Sequence, residues 1–369
     1  MTVTDMSEAS SEAALEREAQ ARGITDQSLG EPRRAALALL AGESTASQRE
    51  WAITWMHAHP GNDFVEALAR DQIDQLFLRA SDGNGLTARL PPSLVDMLSA
   101  RKRSLTAGVI RQAHQLDEAC ALLDDMGTGH VVFKGALARG LLYDAPYLRP
   151  AVDADLLVAP SQPTKVVRVF EQRGYAVTLA DHSDTHEAWL AKRGVGIDLH
   201  WSLLRPGRMR VDITSDILAH RVRRDDLWGP NDTHLTVAML VHPAVTDHVT
   251  GRLISAVDLD RWVRKAEVPW DAVLDVLGRI GLRTAAWAML FWTNGLFGTP
   301  VPDEVWRKLA PSPLRQRYIE SWLRRNPGCL YQQRPHLVRG AFSLALQDRP
   351  SDAARALWKL AHKERLSLG

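Results

Sequence analysis

The sequence predicts an α+β protein in which a short β-rich segment lies between two long helical regions, and three observations carry that reading. Apolar residues recur at helical spacing from Pro32 to Leu122 and again from Leu235 to His362. Between them, His130 to Trp201 changes to runs of a few β-type residues separated by Gly, Pro and Lys-Arg-Gly signals. Two of those runs, Ala151 to Ala159 and Val195 to Trp201, also carry aspartates among apolar neighbours. With 369 residues, the chain has room for two domains or for one domain with large flanks.

Taken in order, residues 1–30 are rich in Glu, Ser and Ala without an apolar period, which predicts a disordered tail. An N-terminal helical region follows over 31–129. Ser47-Gln48-Arg49-Glu50 has the Ser-x-x-Glu spacing of a capping box ahead of Trp51, Ile53, Trp55 and Met56, and the helix it starts ends near His59-Pro60-Gly61. Asn62 and Asp63 cap the next helix, whose stripe runs through Phe64, Leu68, Ile73 and Phe77 until Ser81-Asp82-Gly83-Asn84-Gly85 breaks it. After Pro91-Pro92, one or two helices carry Leu94, Met97, Leu98, Leu105, Val109 and Ile110 toward Leu122.

The core is expected over 130–205. Val131 to Phe133 reads as a strand, Ala136 to Leu142 as a helix, Tyr143 to Pro150 as a loop and Asp153 to Val158 as the second strand. Pro160 to Pro163 stops the strand and starts a helix that closes at Arg173-Gly174, and Tyr175 to Leu179 is a third strand. Ala188 to Ala191 and Val195 to Trp201 flank Lys192-Arg193-Gly194 as the arms of a hairpin. A C-terminal helical region fills 206–369, with helices over Leu235 to Val249, Leu253 to Val263, Trp270 to Phe297, Asp303 to Leu309, Leu314 to Leu323 and Ser351 to His362. No repeat of fixed length is visible.

Composition excludes several classes. There are 45 basic and 44 acidic residues, so net charge gives no case for global attraction to nucleic acid. Cys120 and Cys329 lack ligand spacing and are too few for a disulfide framework, which suits a reducing compartment. The most apolar run, Ala285 to Trp292, falls far short of the roughly 20 residues that span a bilayer, and the N-terminus lacks a signal peptide's basic start and apolar centre. The expectation is a cytoplasmic protein without a membrane partner.

Chemistry concentrates in the core. Asp153 and Asp155 are two apart in one strand, so both carboxylates leave the same face, and Asp198 lies between Ile197 and Leu199 in another strand. A buried aspartate costs several kcal/mol unless it is paired or bound to a cation, and three together repel without one. A magnesium site, with Mn2+ as the alternative ion, accounts for all three.

The order of these parts resembles a known family. A strand ending in Lys134-Gly135, a helix leading to Tyr143, Arg149 ahead of Asp153-Ala154-Asp155-Leu156-Leu157-Val158, and later Ile197-Asp198-Leu199-His200-Trp201 are similar to the uncharacterised nucleotidyltransferase family, within the DNA polymerase β-like superfamily. The motif-bearing likeness covers Val131 to about Leu204. It implies a small mixed-sheet nucleotidyltransferase core that binds a nucleoside triphosphate through magnesium and transfers its nucleotidyl group to an acceptor. Asp153 and Asp155 would then hold the metal against the triphosphate. Asp198 would complete a second metal position and help deprotonate the acceptor. The superfamily places Gly-Ser or Gly-Gly after the first strand, where this chain has Gly135-Ala136 and so lacks one hydroxyl that could contact a phosphate.

Gly135 to Gly140 has the Gly-x-x-x-x-Gly spacing of a phosphate loop, but Leu141 stands where Lys is required, so the segment reads as a strand-to-helix turn. There Gly135 and Ala136 let the backbone and the helix N-terminus approach phosphates, and Lys134 adds a point charge or lies at the surface. Arg149 either orients the acidic pair, holds a phosphate oxygen, or makes a solvent ion pair. His200 shares a strand face with Asp198 and reads as a substrate contact or a satisfied core histidine. His182 and His186 around Asp184 lack zinc-site spacing, and His234, His242 and His248 do not share one helical face.

Arg205, Arg208, Arg210, Arg221, Arg223 and Arg224 form a basic tract that reads as a solvated helix face balanced by Asp225 and Asp226, with an RNA-steering role as the rival. Trp51, Trp55, Trp262, Trp287 and Trp292 fall on apolar stripes as core. The sequence therefore points to transfer of NMP from an NTP, with release of pyrophosphate, to an acceptor that is a small molecule, a peptide or protein, or RNA. The alternatives are a non-catalytic nucleotide-binding protein on the same fold and a toxin-like enzyme modifying tRNA.

Overall fold

The computed structural model describes residues 16–24, 29–42, 44–159, 161, 163–179, 186–326 and 328–361. Most of the expected tail, together with His182, Asp184 and His362, lies outside the described residues; 16–24 are helical. Along the chain, helices α1 (Glu31–Leu40), α2 (Ala46–Ala58), α3 (Asn62–Arg70), α4 (Asp74–Gly83) and α5 (Pro92–Asp125) lead to β1 (His130–Phe133), α6 (Lys134–Leu142) and β2 (Asp153–Val158). Then come α7 (Pro163–Gln172), β3 (Ala176–Leu179), β4 (Glu187–Lys192), β5 (Val195–His200), α8 (Thr214–Ala219), β6 (Val222–Arg224) and β7 (Leu227–Gly229). The chain continues through α9 (Asp232–Thr246), α10 (Leu253–Lys265), α11 (Trp270–Ile280), α12 (Arg283–Phe297), α13 (Asp303–Leu309), α14 (Pro313–Arg325), α15 (His336–Ala345) and α16 (Pro350–Ala361). The architecture is the α+β arrangement expected from the sequence, with a mixed sheet and flanking helices.

Contacts divide the chain into two units, each built from separated stretches. One comprises 1–101, 243–267 and 283–346 and has helices but no strand among its described residues. At its centre α12 buries every residue from Thr284 to Leu296, which explains why Ala285 to Trp292 is the most apolar run: a helix covered on all sides needs no polar face. Phe64 and Phe77 meet edge to face at 5.5 Å. The Arg33 guanidinium forms a buried ion pair with Asp71, whose carboxylate also accepts from the Leu253 N–H.

Next to that ion pair lies one departure from the sequence reading. The stripe through Phe64, Leu68, Ile73 and Phe77 belongs to two helices, because Gln72 takes a positive φ of 59° and the Ile73 N–H closes back on the Leu68 carbonyl. The next departure is the start of α2, where Thr45 rather than Ser47 is the cap. Thr45 Oγ1 accepts from the Gln48 N–H at 3.2 Å and Gln48 Oε1 accepts from the Thr45 N–H at 2.8 Å, a reciprocal box two residues upstream of the expected one.

The second unit comprises 102–242, 268–282 and 347–369 and contains both sheets. The five described strands of the larger sheet run in the order β1-β2-β5-β4-β3. Among the described residues only the β2–β5 pair of that sheet is parallel. Alternation assigns the faces: Ala154, Leu156, Val158, Ala188, Leu190, Ile197 and Leu199 point one way and are all 1% exposed or less. The opposite face carries Asp153, Asp155, Glu187, Trp189, Asp198 and His200. The β4–β5 turn is the two-residue pair Arg193-Gly194, both at positive φ, as a tight hairpin requires.

Elsewhere in this unit the expected helix over 270–297 stops at Gly281, whose φ of 76° makes it a left-handed cap. The arginine tract does not form one helix face. It spans a loop, α8 and the β6–β7 hairpin, and several of its members have partners. Arg210 makes a fork-like pair with Asp352 at 3.0 and 2.6 Å, Arg224 reaches Asp232 at 2.5 Å, and Arg221 and Arg223 lie over Trp228. Their charged side chains obscured the strand pattern. Among the described residues, no helix is long and apolar enough to cross a membrane.

Candidate active site

The polar face of the sheet holds the candidate site, and register delivers its members. Parallel pairing sets Asp155 opposite Asp198 and Asp153 opposite Gly196, while antiparallel pairing sets Trp189 opposite Asp198 and Glu187 opposite His200. One oxygen each from Asp155 and Asp198 and a His200 ring nitrogen all lie within 4.8 Å of one another. His200 Nε2 is 3.2 Å from Asp155 Oδ1 and 3.2 Å from Asp198 Oδ2, so the ring ties the two strands' carboxylates together. Gly196 leaves room beside Asp153 and Asp198 for the Trp189 ring: a Cβ there would come within 2.1 Å of it.

Lys134 enters from the end of β1. Phe133 is paired with Asp155, and Lys134 follows at a φ of 52°, an unfavourable conformation for a residue with a Cβ, at the junction with α6. Its ammonium donates to Asp155 Oδ1 at 2.6 Å and stands 3.4 Å from His200 Nε2. The ammonium therefore already places one positive charge among the carboxylates. It is not a free surface lysine.

The electrostatics follow from that packing. Burial alone would raise the Asp155 carboxyl, but the Lys134 charge and the hydrogen bond from His200 hold it well below the usual carboxylate range. Burial pulls Lys134 down, yet Asp155 outweighs it and the ammonium is held above its ordinary value. His200 is likewise pulled down by burial and by Lys134, but bonds to Asp155 and Asp198 leave it above the usual imidazole value. Glu187 rises through burial and the nearby Asp198 charge. Burial brings His186 to about 3, with His200 and Arg205 adding to it, so its ring is neutral.

The remaining candidates brace the turn. Gly135 and Ala136 open α6 and are buried, and a Cβ at Gly135 would lie 3.1 Å from both Ala151 Cβ and Arg149 Nη1. Arg149 is 7% exposed and its Nη1 donates to the Pro150 carbonyl at 2.6 Å. Its backbone carbonyl accepts from Arg139. Its guanidinium is buried and packs against the Gly135 turn.

Sequence reasoning missed Glu187 and underrated His186. His186 Nε2 and His200 Nδ1 each lie 3.4 Å from Glu187 Oε2. The signal that could have found Glu187 was the hairpin itself, since a two-residue turn at Arg193-Gly194 puts position 187 opposite 200. His242 also feels the charges of Lys134 and Asp155, and desolvation pushes it well below the usual imidazole range.

Residues 60–298 match the family described as uncharacterised nucleotidyltransferase, and the chain belongs to that family. The resemblance read from Lys134-Gly135, the paired aspartates and Ile197 to Trp201 is thereby borne out, and the family supports a general role in nucleotidyl transfer. No curated protein matches the chain.

Proposed function

We propose that the protein is a magnesium-dependent nucleotidyltransferase that moves NMP from an NTP to an acceptor and releases pyrophosphate. The observation that carries this reading is the convergence of Asp155 and Asp198 from adjacent parallel strands, with Asp153 on the same face. Carboxylate oxygens suit a hard divalent cation, and Mg2+ or Mn2+ fits Asp153, Asp155 and Asp198 better than an all-nitrogen set would. Held by those carboxylates, such an ion would neutralise charge on the triphosphate and on the leaving pyrophosphate.

The chain's own groups divide the remaining work. The N-terminus of α6 at Gly135 and Ala136 offers backbone N–H groups to phosphate oxygens, and the Lys134 ammonium supplies a fixed counter-charge beside them. Asp198, more exposed than Asp155 with side-chain values of 21% against 7%, takes the proton of the acceptor hydroxyl. The new bond joins the acceptor oxygen to the α-phosphorus, and the bond from that phosphorus to the pyrophosphate oxygen breaks. His200 holds Asp155 and Asp198 at one spacing.

One observation favours a second reading. The Lys134–Asp155 pair partly fills the place of a cation, as a non-catalytic nucleotide-binding protein on this fold could retain. Labelled nucleotides separate the two. With ATP labelled separately at α and γ, incubated with magnesium and a cell extract, the acceptor fraction gains α label and pyrophosphate carries the γ label. Incorporation of γ label indicates a kinase and overturns the mechanism. Tight nucleotide binding without incorporation from any NTP selects the non-catalytic reading. The fraction labelled identifies the acceptor as small molecule, peptide or protein, or RNA, and label in tRNA selects the toxin-like enzyme.

A further inference from the structure

The His200 ring poses a problem that the aspartate cluster does not solve. It is 1% exposed, and its Nε2 faces Asp155 Oδ1 and Asp198 Oδ2, both acceptors, with the Lys134 ammonium 3.4 Å away, so a proton belongs on Nε2. The other nitrogen, Nδ1, is buried without a hydrogen-bond partner and stands 3.4 Å from Glu187 Oε2. A bare lone pair facing a carboxylate oxygen in a buried pocket is unfavourable, and either a second ring proton or a metal ion between them removes the conflict. The same Glu187 oxygen is also 3.4 Å from His186 Nε2, and that ring is 8% exposed.

Those separations suit a shared metal ion. In a tetrahedron whose metal–ligand bonds are about 2.0–2.1 Å, neighbouring ligand atoms lie about 3.4 Å apart. Both nitrogen-to-Glu187 distances have that length, and each of the three residues offers one donor atom within 4.8 Å of the other two residues' donors. Two imidazoles and one carboxylate are the donors of zinc-type transition metals and not of magnesium, which prefers oxygen.

We propose that His186, Glu187 and His200 form a separate site for a divalent transition-metal ion of the zinc type, bound through His186 Nε2, Glu187 Oε2 and His200 Nδ1. Three protein ligands leave a fourth position for water. An ion on Nδ1 fixes the His200 proton on Nε2, toward Asp155 and Asp198, so the site acts as a positioning device for the aspartates. It does not depend on what reaction those aspartates serve.

The test uses the full chain stripped of metal, titrated with Zn2+ by calorimetry and with Co2+ by visible absorption. We expect one equivalent of zinc that excess Mg2+ does not displace, and cobalt bands of a low-coordinate nitrogen and oxygen site. His186→Ala and Glu187→Gln should each weaken zinc binding by at least about tenfold, roughly the 1.4 kcal/mol that a factor of ten represents. Asp153→Asn should leave it unchanged. Circular dichroism checks folding, and if His186→Ala does not fold, the near-isosteric Glu187→Gln decides the matter. Absence of zinc binding to the wild-type chain overturns the proposal. So does zinc that survives both variants and is lost with Asp153→Asn, or a metal-free His200 carrying protons on both nitrogens by 15N NMR and unchanged by zinc. None of these readouts requires nucleotidyl transfer, so failure of that activity leaves the test intact.

Discussion

Replacing Lys134 with methionine removes a charge but keeps much of the stem, and it asks whether Asp155 stands in a cation site. The ammonium lies 2.6 Å from Asp155 Oδ1, and the Asp155 side chain is 7% exposed. At an effective dielectric of about 20, two unit charges at that distance attract by roughly 6 kcal/mol. Recovering the desolvation of the lysine offsets part of this, so the net loss is about 3 kcal/mol, the low end for breaking a buried pair. Protonation of Asp155 limits the loss further. In the wild type its carboxyl is held low, so its contribution is present above the unfolded value near 4 and fades only as pH falls through the depressed folded value. The measurement is a thermal melt at neutral pH with and without Mg2+. Lys134→Met should melt lower by several degrees without the ion. Added Mg2+ should raise its melting temperature more than it raises the wild type's, because the competing ammonium is gone and a ligand stabilises only the state that binds it. A variant as stable as the parent, or one that Mg2+ leaves unshifted, refutes the reasoning.

Three further outcomes follow. Asp153→Asn should abolish metal-dependent NTP turnover with the fold intact by circular dichroism, whereas Asp198→Ala should lower the rate of chemistry by more than it lowers NTP affinity, as single-turnover kinetics and nucleotide titration would show; equal losses in Asp198→Ala would place that carboxylate in the ground-state triphosphate site instead. In metal-free protein, stability should fall as pH drops below about 6.5, because the unfolded chain protonates His186 at its ordinary value while burial keeps the folded ring neutral down to about 3. Each unit of that difference is worth about 1.4 kcal/mol, His186→Gln should flatten this acid limb in urea melts across pH, and an unchanged limb would count against the buried neutral ring.

The sequence by itself determined much of the local structure because those signals are local. Alternation between apolar neighbours marked β2 at Asp153 to Val158 exactly as it forms, and Asp303–Leu309 was bounded by its own prolines. The motif around Lys134-Gly135, Asp153, Asp155 and Asp198 was readable as a family likeness, and the match over residues 60–298 bears that out. Tertiary structure alone decided what depends on distant partners. Asp71, just past the end of α3, is held by Arg33, which lies 38 residues earlier in the chain. Parallel pairing of β2 with β5, separated by two other strands in the chain, brings Asp155 opposite Asp198, and no spacing rule encodes that register. The placement of the Lys134 ammonium on Asp155, and of His186 and Glu187 against the far side of His200, depends on the same register. Charges so placed are held by packing that the sheet's apolar face supplies, through Leu156, Ile197 and Leu199 beneath them.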